Sequence, residues 1–65
     1  MTNSKKLKGF FDMIGSPTKD DFATLVGVSR MTINRYENGI NEIPPERKET
    51  INKLFNKYGY DKQIA

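Results

Sequence analysis

Apolar residues fall into four short stripes separated by glycine and proline. Leu7, Phe10, Phe11 and Ile14 stand three and four apart, which makes one face of an amphipathic helix. Phe22, Ala23 and Val26 make a second such face, Ile33 and Tyr36 a third. Ile51, Leu54, Phe55 and Tyr58 make the fourth. The spacing predicts an all-α fold in which Leu7 to Tyr36 of these stripes pack with Ile51, Leu54 and Phe55 in one core. Local signals set the boundaries. Met1 to Ser4 is polar and expected to fray, with Ser4 capping a first helix that runs to about Ile14. Gly9 weakens that helix and marks a place where another backbone passes close. Gly15-Ser16-Pro17 breaks it, and Thr18 is expected to cap the second helix with Asp21 as a short capping-box acid. Pro45 opens the last helix, about residues 45–58, and Gly59 ends it.

The stretch from Lys19 to Gly39 organises the rest. Its first helix stops at Gly27, where a left-handed residue suits a C-terminus. Ser29 follows as an N-cap for the next helix, and Asn38-Gly39 stops that one. Helix, glycine turn and capped helix in about twenty residues make a helix-turn-helix. At 100° per residue, Arg30, Asn34, Met31 and Arg35 occupy one half of the second cylinder, from about 0° to about 140°. Ile33 and Tyr36 lie on the other half, where they can pack on the first helix. Arginine grips guanine bidentately, asparagine grips adenine, and an apolar side chain suits a thymine methyl. Arg30, Met31, Asn34 and Arg35 are therefore expected in a major groove, with Ser29 and Thr32 at its edge.

Thr18 to Ala23, Gly27-Val28-Ser29-Arg30, Thr32-Ile33 and Tyr36 to Gly39 together resemble the phage Cro/repressor family, with spacing kept without gaps. The resemblance implies a compact lambda-repressor-like bundle of four helices, with any fifth reduced to a stub in residues 60–65. It also implies phosphate contacts from Lys19, where relatives carry glutamine, and from Asn38. In that family an arginine at the position of Asp12 often pairs with the glutamate that is Glu37 here. That pair cannot form in this chain, so Glu37 must find another partner or stay exposed.

Composition narrows the function. At 65 residues the chain is expected to form one domain, with its reading motif at residues 19–39. There is no cysteine and no histidine, which removes disulfides, most metal sites and the usual base–nucleophile pairs. No catalytic residue, metal or cofactor is expected. Asp20 and Asp21 are adjacent, so their side chains diverge and make a poor catalytic pair. A net charge of +3 accommodates a polyanionic partner without requiring one. Lys5, Lys6 and Lys8 read most simply as a solvated face. No apolar run approaches the ~20 residues that span a bilayer, and the start lacks a signal-peptide pattern, so a cytoplasmic protein is expected.

Two function classes remain. One is a sequence-specific regulator binding a double-stranded DNA operator, of phage or bacterial Cro/repressor kind. The other is a protein-interaction module of the same fold, an antirepressor or antitoxin binding a partner such as a repressor protein. The first is the main reading; Glu42, where relatives often carry a basic loop residue, and the shortened C-terminus keep the second open. Regulators of the first kind bind two-fold operators as dimers, and little surface is left here for pairing. Ile40, Ile43, Tyr58, Tyr60 and Ile64 are the candidates, which implies a monomer or weak homodimer in free solution that pairs on DNA or with a protein partner.

Overall fold

The four stripes become four helices. In the computed structural model, which describes residues 2–15 and 18–65, they are α1 (Asn3–Ile14), α2 (Lys19–Val26), α3 (Arg30–Glu37) and α4 (Pro45–Lys57). Each stripe is buried except at the last residue of the first and the fourth, Ile14 and Tyr58, because an eight- to thirteen-residue helix is marginal alone and owes its stability to packing of its apolar face. α3 packs against α1 and α2, and α2 also meets α4. Leu7, Phe10, Phe22, Ile33, Ile51 and Phe55 are completely buried. Phe10 stands at the centre of this core, with the rings of Phe11, Phe22, Phe55, Tyr58 and Tyr60 4.6 to 5.7 Å from its own. Ile14, expected in the core, is only partly buried and packs on its edge.

Two expected caps are placed differently. Thr2, not Ser4, caps α1: its hydroxyl accepts from the Lys5 amide at 3.3 Å. Asn3 and Ser4 lie inside the helix that Thr2 caps, while Met1 lies outside the described residues. Thr18 does not cap α2. Its backbone is already helical, and its hydroxyl donates back to the Ile14 carbonyl at 3.3 Å, so the capping box with Asp21 does not form. Of the expected break, Gly15 ends α1 and its amide returns to Phe11. Ser16 and Pro17 lie outside the described residues.

The segment after α4 departs furthest from expectation. Residues 60–65 form no fifth helix. They lie without regular secondary structure against α1 and α4, held by side chains. Asn52 brackets Ile64, accepting its amide at 2.7 Å and donating to its carbonyl at 3.0 Å. Asn3 does the same for Ala65 at 3.0 and 3.2 Å. Lys6 donates to the Gln63 carbonyl at 2.7 Å, and the Tyr60 hydroxyl donates to Lys6 O at 3.0 Å. Ile64 is thereby buried, and Ile43 in the loop is buried too, while Tyr60 packs on the core. Burial raises the Tyr60 phenol above its ordinary pKa, with Asp61 and then Asp12 adding to the shift. These three residues were candidates for pairing with another copy, and the fold uses them internally instead. The neighbour of Gly9 is also a side chain rather than a backbone: a Cβ there would meet the Tyr60 hydroxyl at 2.8 Å.

Candidate nucleic-acid interface

The turn between α2 and α3 is built as its residues dictate. Gly27 is left-handed at φ 87°, and the amides of Gly27 and Val28 both return to the Ala23 carbonyl, at 2.9 and 3.0 Å. Ser29 is extended and its hydroxyl accepts from the Thr32 amide at 3.2 Å, starting α3 after only the three residues Gly27, Val28 and Ser29. The Ser29 and Thr32 hydroxyls also meet at 3.0 Å. A further restraint comes from Arg47 in α4, whose guanidinium donates to the Val26 carbonyl at 2.7 Å. It would stand 2.8 Å from a Cβ at position 27, so a side chain there would displace this guanidinium as well as strain the left-handed backbone. Nothing local in the sequence marks that contact, since the two residues lie 21 apart.

α3 is divided as its periodicity requires. Ile33 and Tyr36 face the core, while Arg30, Met31, Asn34 and Arg35 are all exposed. Met31 is 62 % exposed, a large apolar side chain held in water among polar neighbours. Thr32 sits half-buried at the edge beside Ser29. Asn38 uses one amide hydrogen on the Asn34 carbonyl at 2.8 Å, closing the helix, and Gly39 turns left-handed at φ 71°. Its second amide hydrogen is unengaged by these bonds.

Lys19 is turned inward. Its ammonium lies 2.8 Å from Glu37 Oε1, with the two side chains only 16 % and 7 % exposed, and sits 5.4 Å above the Phe11 ring. The approach is not aligned as a hydrogen bond, so the attraction is chiefly ionic, and among the described residues no other group donates to Oε1. Glu37 has thus found a partner other than the residue at position 12. One ion pair links the first residue of α2 to the last of α3. A second, at 3.2 Å, joins Arg30 of α3 to Asp20 of α2 at the surface. Neither pair follows from a sequence motif.

The segment from residue 18 to 39 carries three cations, Lys19, Arg30 and Arg35, against three carboxylates, Asp20, Asp21 and Glu37. It is therefore formally neutral, and the net charge of +3 lies outside it.

The helix-turn-helix family model matches residues 18–61, which span α2, α3, the loop and α4. The chain belongs to the Cro/repressor-type helix-turn-helix family. Comparison with curated proteins and with solved structures gave no match. This family is one of DNA-binding regulators rather than of enzymes. The all-helical bundle agrees with it, and α1, which lies before the matched residues, supplies Phe10 and Phe11 to the shared core. Among the described residues no helix is long and apolar enough to cross a membrane.

Proposed function

We propose that this protein is a sequence-specific transcriptional regulator that places α3 in the major groove of an operator, in the manner of phage and bacterial Cro/repressor proteins. The observation that carries the reading is the outer face of α3. Arg30, Met31, Asn34 and Arg35 stand exposed on a helix whose other side is locked into the core. Two arginines supply bidentate donors for guanine, Asn34 suits adenine, and Met31 loses unfavourable hydration against a thymine methyl. Ser29, Thr32 and Asn38 frame that face and reach phosphate or base edges from its two ends. Lys19 serves it from behind by fixing α3 through Glu37. Residues 1–65 act as one domain in the bacterial cytoplasm, and no metal or cofactor is needed.

A single domain of this kind reads about four to six base pairs, too few to find one site among the sequences of a genome. Pairing on a two-fold operator extends the footprint. With Ile43, Tyr60 and Ile64 buried, Ile40 at 70 % exposure and Tyr58 at 39 % are what remains of the expected pairing residues. That is too little for a stable free dimer, so the chain pairs on DNA.

The neutral charge of the reading segment, with Glu42 exposed in the loop, favours a second reading: recognition of a partner protein through the same fold. Selection from a random duplex library followed by an electrophoretic shift separates the two. The regulator reading expects enriched sites with half-sites about one helical turn apart. A library that emerges unenriched would overturn it in favour of the protein partner.

A further inference from the structure

Arg30 opens α3 and Asp20 lies in the first turn of α2, ten residues earlier in the chain. The glycine turn brings them together, with Arg30 Nη1 donating to Asp20 Oδ2 at 3.2 Å. Both side chains remain open to solvent on the edge where α2 and α3 meet. We propose that Asp20 is a specificity-determining positioning residue, which orients the Arg30 guanidinium for bidentate contact with guanine. This rests on the assignment of α3 as the DNA-reading helix.

A guanidinium carries five N–H donors in a rigid planar fork. Asp20 occupies one and leaves a pair of parallel donors for guanine O6 and N7. Without a second anchor the long arginine side chain samples many rotamers, and ordering it opposes binding. In the free protein an exposed pair of this kind contributes little to stability. Against a groove the same pair is shielded from water, where charge–charge attraction is stronger.

The carboxylate also acts against the wrong complex. If Arg30 swings away to grip a phosphate, Asp20 is left unpaired beside the polyanionic backbone, with Asp21 next to it in the chain. That arrangement penalises sequence-independent binding, a repulsive element of the sort specificity requires. Thr24 Oγ1 donates at 3.0 Å to the Asp20 main-chain carbonyl and not to its carboxylate, so Asp20→Asn leaves that bond in place.

The test compares Asp20→Asn with the native chain by library selection, by binding to an unselected duplex, and by thermal melting. Asparagine keeps the shape and removes the charge. The expected result is a preference for guanine reduced about tenfold at the base pair that Arg30→Ala identifies. Tighter binding to unselected duplex and an unchanged melting temperature should accompany it. An unaltered sequence logo, or an equal change of affinity for every sequence, would overturn the positioning role while leaving the reading of α3 intact. If Arg30→Ala itself leaves the native logo untouched, or if nothing is enriched, the reading fails and the role of Asp20 falls with it.

Discussion

Phe10→Ala should cost the domain about 3–5 kcal/mol, the usual loss when a fully buried phenylalanine is truncated. Its ring is completely buried and meets five other aromatic rings drawn from α1, α2, α4 and the residues after α4. No neighbour can collapse into the space without leaving another ring uncovered, so the upper part of the range is expected. A chain of this length is stable by only about 3–10 kcal/mol, and the variant should therefore be largely unfolded near body temperature. Urea denaturation followed by circular dichroism measures the loss. A midpoint unchanged from the native chain would contradict the placement of Phe10 at the centre of the core.

Lys19→Gln should destabilise the protein by about 2–3 kcal/mol, because it leaves the Glu37 carboxylate buried without a countercharge. The figure is set below the 3–5 kcal/mol of a fully buried pair because water reaches part of Lys19. Replacing Glu37 by glutamine as well should recover much of the loss, as a double-mutant cycle would register. The resemblance to Cro/repressor proteins makes Lys19 a phosphate contact, for which the same substitution would lower the salt slope of DNA binding by about one. With the ammonium committed to Glu37, the slope should stay as it is while stability falls. A slope lowered by one at unchanged stability would return Lys19 to the phosphate.

What the sequence made legible divides by range. Gly27, Ser29 and Gly39 act on their own backbone or on amides three residues away, so their roles in the turn and the cap could be read directly. The division of α3 into a core face and an outer face followed from periodicity alone. Thr2 and Ser4 were harder to separate, because both carry hydroxyls at the same helix start and bond to each other at 3.1 Å. Thr18 had a cap's identity, but its hydroxyl found the Ile14 carbonyl instead.

The remainder depends on residues distant in sequence. Arg47 reaches Val26 across 21 positions and Tyr60 reaches Lys6 across 54, distances at which no spacing rule operates. Ile64 reads in the sequence as a candidate for pairing with another copy, because the bonds from Asn52 that hold its backbone on both sides join residues twelve apart. The interface follows the same pattern. Which residues α3 exposes was readable, whereas the inward turn of Lys19 and the Asp20–Arg30 pair needed the fold.

The central claim is that the outer face of α3 reads bases. Library selection with Arg30→Ala and Arg35→Ala, set against the native chain, tests it most directly. Each arginine lies outside the core, so both variants should fold. The expected result is that each variant still binds DNA but loses guanine preference at one base pair per half-site, by roughly tenfold or more. Sequence logos from both variants that superimpose on the native one would contradict it.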